Sequence, residues 1–474
     1  MALTFDKDQN DTIAAIATGM SEAGIGIVRI SGPHAAGIIR RIYRTKSGKE
    51  MTSWKPNTIH YGKIIDPESG ETIDEVLVSW MEAPHSYTTE NTAEVNTHGG
   101  TYVIHRVLDA VLRAGARMAE PGEFTKRAFL GGRMDLSEAG AVMDLIQSQN
   151  EFARKVSLAQ LEGSVSGKVK ELRSSILYEI AYIESALDDP ENYSLDGYPE
   201  QLEKKCESIL SELQAVLRRS ENGKVLQEGI RTVIIGKPNA GKSSLLNRLA
   251  GEERAIVTPV AGTTRDTLEE TVRLGDLTLC VTDTAGIRKT EDPVEKIGVE
   301  RARKAMETAQ LFLFVLDTSA GITQEDRQIA QMIEEELTTG RHCIVLLNKS
   351  DLPVQVEEEE VQKLWKTRKM ECLSLSALEN TGLDELRSKI EELFHLGELA
   401  SSTELFVTDD FQKSALRETI RSLELVIQSI ENGMSEDFFS IDLRNAYASL
   451  GRMIGEEVED DLVEEIFSRF CLGK

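Results

Sequence analysis

One stretch limits the fold of this chain more than any other. Thr232-Val-Ile-Ile235 is an apolar run of the kind that forms a buried strand, and Gly236-Lys-Pro-Asn-Ala-Gly-Lys-Ser243 follows it without a gap. The octapeptide fits G-x-x-x-x-G-K-[ST] at every fixed position. Set between a strand and a helix, such a loop turns backbone N–H groups towards phosphate, and the helix N-terminus adds its dipole. Lys242 is placed to reach β- and γ-phosphates and Ser243 to bind Mg2+, with Asn239, Ala240, Gly241 and Ser244 along the same cradle. This part of the chain is therefore expected to be α/β, with a largely parallel sheet.

Three further pieces follow in order. Thr263-Thr264-Arg-Asp266 has the make-up of a switch loop, with Thr264 on Mg2+, and Thr258, Pro259, Val260, Ala261 and Gly262 lead into it. Asp283, Thr284, Ala285 and Gly286 come after the strand-like run 277–281, which sets Asp283 near the metal and Gly286 near the γ-phosphate. Asn348, Lys349, Ser350 and Asp351 come after another apolar run, 344–347. A carboxylate at Asp351 would accept from the guanine N1–H and exocyclic amine, donors that adenine does not present together. Ser376, Ala377 and Leu378 would complete the base pocket. Any one of these tetrapeptides is a weak signal, but in this order they resemble a Ras-like P-loop GTPase.

The residue after Gly286 is Ile287, where Ras-type enzymes carry a water-orienting Gln. Isoleucine makes no side-chain hydrogen bond, so another group must do that work. Glu291, Asp292 and Glu295 are the acidic candidates, and Arg265 and Arg288 are the basic ones for an intrinsic finger. Asn239 has two readings. Its amide oxygen could hold a monovalent cation such as K+ beside the phosphates, or it could merely shape the loop.

Charge and length then bound the rest. The 474 residues allow about three domains. The net charge of −26 argues against a chain whose overall field attracts nucleic-acid phosphate. The acidity is uneven: residues 1–135 carry −2, 136–228 carry −7, 229–395 carry −7 and 396–474 carry −10. No stretch of about 18 apolar residues and no N-terminal apolar segment occurs, so a cytoplasmic protein without a membrane partner is expected. The five cysteines are dispersed and show no CxxC pair, which fits a reducing compartment rather than a disulfide framework or zinc site.

Texture along the chain suggests the organisation. Residues 1–135 alternate strand-like runs (24–31, 58–65, 76–81, 93–97) with helical ones, with a helix opening at Pro33, as in an α+β domain. At Asp135 and Glu138 the spacing is that of a capping box, and an apolar stripe at helical period then runs to Leu187, stopped by Pro190. A second helix is expected over about 200–219. Helical texture returns after residue 395. The simplest packing is one helical bundle built from residues 136–228 and 396–474, with the α/β domain of residues 229–395 inserted between them.

The ensemble resembles the MnmE (TrmE) family of tRNA modification GTPases, over essentially the whole chain. The carriers are Asp11-Thr-Ile-Ala-Ala-Ile-Ala-Thr18, Gly26-Ile-Val-Arg-Ile-Ser-Gly32, Glu120-Pro-Gly-Glu-Phe-Thr125, the nucleotide motifs above and the terminal Cys471-Leu-Gly-Lys474. The resemblance implies a K+-stimulated GTPase that requires Mg2+ and is activated when its G domains associate. It assigns Asn239, Thr258, Val260 and Thr263 to K+, and it picks Glu295 as the residue that positions water. It also implies an N-terminal tetrahydrofolate-binding-like domain, residues 1–135, that holds the homodimer together. The positions matching a site for 5-formyl- or 5,10-methylene-tetrahydrofolate are Arg29, Glu94, Arg133 and Lys474. Basic groups suit the folate carboxylates, and a glutamate suits the pterin donors. Cys471 either takes part in the one-carbon chemistry or is simply a packed or exposed thiol. The partners implied are tRNA and an FAD-containing MnmG (GidA)-type protein, with C5 aminomethyl or carboxymethylaminomethyl modification of a wobble uridine as the outcome. An Era- or Der-like ribosome-assembly GTPase is the alternative that shares the nucleotide motifs. The acidic helices predict that tRNA is gripped mostly by a shared complex, with the partner supplying the basic surface.

Overall fold

The structure, a computed structural model, describes residues 11–20, 22–51, 53–252, 269–275, 277–283, 306–337, 341–366, 368–394, 405–456, 458, 460–468, 470 and 473. It divides into two compact units. The first comprises Met1–Ile146, Leu158–Leu213 and Asp409–Lys474, and the second Gln147–Ser157 and Gln214–Thr408.

The first unit opens with a seven-stranded sheet: β1 (Ile13–Ile16), β2 (Ile25–Ser31), β3 (Tyr43–Thr45), β4 (Thr58–Ile65), β5 (Thr72–Met81), β6 (Thr92–His98) and β7 (Arg117–Met118). Their order is β3-β4-β5-β6-β2-β1-β7, antiparallel except for the β1–β7 pair. Alternation sends Val28, Ile30, Val78 and Val95 to one face, where α1 (Ala35–Ile42) and α2 (Thr101–Arg113) cover them. Pro33 lies two residues before α1 rather than within it. On the opposite face Ile25, Ile59, Tyr61 and Leu77 remain exposed. α3 (Glu123–Leu130) follows, starting after Gly122 at φ +70°.

Four helices come next: α4 (Leu136–Gln147), α5 (Glu151–Leu161), α6 (Ser164–Asp188) and α7 (Tyr198–Glu228). The expected capping box forms: Glu138 N–H donates to Asp135 Oδ1 at 3.1 Å, and Asp135 N–H to Glu138 Oε2 at 2.9 Å. The single stripe expected from Val142 to Leu187 is in fact three helices. One break lies at 148–150. The other lies at 162–163, where Gly163 takes φ +88°. α6 ends two residues before Pro190. α7 runs nine residues past the expected end at Arg219.

The second unit holds a six-stranded sheet: β8 (Ile230–Ile235), β9 (Glu269–Leu274), β10 (Leu277–Asp283), β11 (Leu311–Asp317), β12 (His342–Asn348) and β13 (Glu371–Ser374). The order is β13-β12-β11-β8-β10-β9, and β9 alone is antiparallel to its neighbour. Leu313 and Leu346 feed one apolar cluster, and Phe312, Phe314 and Val345 feed another. Alternation puts the clusters on opposite faces, so these strands read as unbroken apolar runs. Helices α8 (Lys242–Glu252), α9 (Gln324–Glu336), α10 (Glu358–Gln362) and α11 (Leu383–Leu393) connect them. The acidic run Glu357–Glu360 is exposed, as expected of a solvated helix start.

Back in the first unit, α12 (Asp410–Glu431), α13 (Glu436–Met453) and α14 (Asp460–Ser468) join α6 and the first half of α7. Arg173 of α6 pairs with Glu456 and lies 4.0 Å over the Tyr447 ring of α13. Tyr198 of α7 donates to Glu179 of α6 at 2.7 Å. So helices from both sides of the inserted domain share one bundle. Among the described residues, no helix is long and apolar enough to cross a membrane.

Gly122 ties α3 to α14. A Cβ there would lie 2.4 Å from the Phe467 carbonyl oxygen, at a φ that L residues avoid. Gly122→Ala is expected to destabilise the first unit by about 2–4 kcal/mol, seen as a lower urea midpoint.

Candidate functional site

β8 delivers the phosphate loop to the carboxyl edge of the second unit's sheet, where a parallel α/β sheet leaves its crevice. Gly236 starts the loop because a Cβ there would sit 2.4 Å from the Val315 carbonyl oxygen of β11. Asn239 takes φ +63° and Gly241 φ +100°. Lys242 is buried, and its Nζ donates to the Gly236 carbonyl at 2.7 Å and the Lys237 carbonyl at 2.9 Å. These are loop carbonyls, so the ammonium folds across its own cradle. Ser243 and Ser244 are exposed in the first turn of α8. Asp283 ends β10 in register with Ile234 of β8, which sets its backbone beside the strand that feeds the loop.

A second set of residues comes from the ends of β11, β12 and β13. Asn348, almost wholly buried, donates from Nδ2 to the Ala240 carbonyl at 2.8 Å and accepts at Oδ1 from Ala377 N–H at 3.1 Å. The Ser376 hydroxyl lies 2.6 Å from Asp351 Oδ1, and Ser350 N–H donates to the Leu375 carbonyl at 3.2 Å. Lys349 takes φ +65° and pairs with Asp317 at 2.6 Å. Leu378 is 74% exposed. Thus Asn239, Ala240, Gly241, Lys242, Ser243, Ser244, Asn348, Lys349, Ser350, Asp351, Ser376, Ala377 and Leu378 converge on one edge of one sheet. Thr258, Pro259, Val260, Ala261, Gly262, Thr263, Thr264, Thr284, Ala285, Gly286 and Glu295 lie outside the described residues, as do Cys471 and Lys474.

Several contacts here carry no sequence signature. Lys237, inside the phosphate loop, reaches the fully buried Asp326 of α9 at 2.9 Å. Asp326 also closes a capping box with Thr323. Arg248 of α8 donates to the Ala377 and Leu378 carbonyls at 3.3 and 2.9 Å. The Lys237 and Arg248 contacts each join segments far apart in the chain, which periodicity cannot relate.

For Mg2+, the fit rests on oxygen donors, which a hard cation requires. The exposed Ser243 hydroxyl beside the phosphate loop suits it.

The first unit brings together three of the four expected folate residues. Arg29 of β2 and Glu94 of β6 are directly opposed, with Arg29 Nε 2.9 Å from Glu94 Oε1. The Arg29 guanidinium lies 5.4 Å from the Tyr87 ring centroid and 5.6 Å from that of Phe124. Arg133 covers Tyr87 at 4.8 Å and donates to its carbonyl at 2.8 Å. Arg29 Nη1 also donates to the Gly473 carbonyl at 3.1 Å, next to Lys474 in the chain. Tyr87 and Phe124 were invisible in the sequence, since single aromatics in loops and short helices carry no pattern. Both Arg29 contacts fall on Oε1, and among the described residues no hydrogen bond reaches Glu94 Oε2. That leaves a carboxylate oxygen for a pterin donor, so the residues fit the group.

Behind this cluster Arg127 pairs with Asp11, Glu90 and Glu123. Burial alone would raise the Glu123 carboxyl, but the Arg117 and Arg127 guanidiniums hold it below its usual value. His98 bonds Asp74 at 2.7 Å with its ring mostly exposed, far along the sheet from Arg29. The described cysteines Cys206, Cys280, Cys343 and Cys372 are thiols, not disulfides. Burial pushes Cys206 up to about 12 and Cys372 up to about 11, so neither is a ready thiolate.

Comparison with known proteins decides the family. The model described as the MnmE helical domain matches residues 136–471, and that of the GTP-binding protein TrmE N-terminus matches residues 12–133. A protein of Lachnoclostridium phytofermentans named tRNA modification GTPase MnmE is 53% identical over 467 residues, 98% of this chain and 100% of its own length. The chain belongs to the MnmE family. MnmE proteins of Enterococcus faecalis and Bacillus subtilis are 46% and 44% identical, each over 98% of this chain and 98% and 100% of their own lengths. The Era- or Der-like alternative falls with this result. The nucleotide motifs of this MnmE chain thus sit in a family of tRNA modification GTPases.

Asp317 offers a pH test within the second unit. Burial would raise its carboxyl, yet the Lys349 ammonium and the Ser319 hydroxyl and N–H together hold it below its usual value. A lowered folded value means that the stabilisation is fully present above the unfolded value and is lost as pH falls through the folded one. The difference in urea midpoint between wild type and Asp317→Asn is expected to be largest near neutral pH and to shrink below about pH 4.

Proposed function

We propose that this MnmE protein hydrolyses GTP to GDP and phosphate with Mg2+ and K+, and uses that cycle in modifying the wobble uridine of certain tRNAs. What carries the reading is the junction at Asn348, which ties the phosphate loop to the base loop in a chain of this family. Lys242 would leave the Gly236 and Lys237 carbonyls for the β- and γ-phosphates. Ser243 and Thr264 would hold Mg2+ with Asp283 near it, and Asn239, Thr258, Val260 and Thr263 would hold K+. The two cations supply positive charge where the transferring phosphoryl group gathers negative charge. Glu295 would orient the attacking water, since Ile287 cannot. Asp351 would read guanine, with Ser376, Ala377 and Leu378 around the base.

The Arg29–Glu94–Arg133 cluster on Tyr87 supports a tetrahydrofolate site, with Lys474 as its fourth member and the tetrahydrofolate as the source of the one-carbon unit. Cys471 stands close enough in sequence to take part. The exposed Ile25, Ile59, Tyr61 and Leu77 support self-association of residues 1–135 as a homodimer. Residues 136–228 and 396–474 would carry the motion of the G domain, residues 229–395, in a cytoplasmic complex with an MnmG-type FAD protein. Their combined charge of −17 supports a basic partner that shares the tRNA.

Replacing K+ by Na+ and replacing Glu295 by Ala are each expected to slow GTP hydrolysis, the latter on the order of a hundredfold. A rate indifferent to both changes removes the mechanism. Calorimetric titration with 5-formyl-tetrahydrofolate should show affinity falling at least about tenfold in Arg29→Ala, and equal affinity contradicts the folate assignment.

A further inference from the structure

Arg248 lies six residues after Lys242, on the helix that starts at the phosphate loop. The buried Leu245 and Leu249 fix the rotation of that helix against the sheet. This turns Arg248 to the flank, where Nε donates to the Ala377 carbonyl at 3.3 Å and Nη2 to the Leu378 carbonyl at 2.9 Å. Asn348 Oδ1 already holds the Ala377 N–H at 3.1 Å, and Arg248 adds the hold on the two carbonyls that follow it. Leu378 is 74% exposed, so its side chain anchors nothing. Ser376 and Thr381 bridge the base of the loop, and the Ser376 hydroxyl accepts from Glu379 N–H at 3.1 Å. Asn380 takes φ +61°, the left-handed region that asparagine adopts more readily than most residues.

Peptide planarity gives these two bonds a directional consequence. In a trans peptide the C=O of one residue and the N–H of the next point in opposite senses. With the Ala377 carbonyl drawn to Arg248, the Leu378 N–H is aimed away from α8. The next N–H, that of Glu379, is already used by Ser376. Arg248 therefore sets which backbone donors the loop offers and where they point. A purine bearing a 6-oxo group needs such a donor, whereas a 6-amino group does not.

We propose that Arg248 is a positioning residue for base recognition, holding the Ser376–Leu378 loop in its receptive form and coupling it to the phosphate-loop helix. This rests on the reading of Asp351 and Ser376–Leu378 as the guanine pocket. Without Arg248 the Ala377–Leu378 peptide can turn although Asn348 still holds the Ala377 N–H, and nucleotide binding must then order it. Affinity falls, release quickens, and the chemical step, served by other residues, keeps its rate.

The test uses the full-length protein with Mg2+ and K+ present. Release of a fluorescent GDP is followed by stopped flow, and GTP hydrolysis is followed in a single turnover with protein in saturating excess. Arg248→Ala is expected to quicken release about tenfold, the scale of one hydrogen bond to a charged donor, with the single-turnover rate unchanged. Arg248→Lys, a point charge without the fork, should fall between. Unchanged release in Arg248→Ala, or a single-turnover rate that drops in step with affinity, overturns the proposal. Asp351→Asn tests the pocket itself by exchanging an acceptor for a donor, which should favour xanthine over guanine nucleotides. If it does and Arg248→Ala releases normally, the role of Arg248 fails alone. If Asp351→Asn leaves base preference unchanged, the pocket reading fails and the proposal with it.

Discussion

The nucleotide site hangs on one buried amide. Asn348 is 1% exposed, and it spends its donor on the Ala240 carbonyl and its acceptor on the Ala377 N–H. A buried primary amide is costly unless satisfied, so neither loop can drift without leaving polar atoms bare. The same amide explains Gly241, because a Cβ there would lie 2.1 Å from Asn348 Nδ2. Three loops from three strand ends thus share one geometric solution. The parallel sheet makes this possible by bringing the carboxyl ends of β8, β12 and β13 to a single edge.

Ion pairs then hold that edge from outside. Lys237 with Asp326, and Lys349 with Asp317, each tie a nucleotide-loop lysine to a carboxylate at a strand end or helix start. In the first unit Arg127 plays the corresponding part with Asp11, Glu90 and Glu123. Glu123 is followed by Phe124, and Glu90 lies three residues after Tyr87. The network therefore fixes both aromatic rings that flank Arg29. Burial makes these pairs directional restraints more than sources of net stability.

What could be read from the chain divides along a physical line. The phosphate loop, the capping box at Asp135 and Glu138 and the stop before Pro190 are local, each written in a few adjacent residues. The cross-strand pair Arg29–Glu94 was reached through family resemblance, because opposed positions 65 residues apart leave no mark in either strand. β1 and β7, four and two residues long, are too short for alternation to register. The break at Gly163 was hidden because the apolar spacing continues across it, while only the backbone at φ +88° departs from the helix. Tyr87, Phe124 and Arg248 act through contacts that no period encodes.

The length of α7 makes the same point about domains. Helical texture marks where a helix runs, not which core its stripe serves. In the second unit the last turns of α7 pack with Phe406, whose ring lies 3.0 Å from where a Gly223 Cβ would stand. Ser220 accepts from Val407 N–H at 2.8 Å, and Phe152 of α5 meets Phe406 edge-on at 5.4 Å. Phe406 in turn belongs to the apolar cluster of Ile234, Leu313 and Leu346 on the sheet. The G-domain core therefore recruits the starts and ends of helices that by pattern alone belong to the bundle. A domain inserted into a helical host needs this. Its two connections enter and leave side by side, and shared packing at Gly223 and Phe406 keeps both from being free linkers.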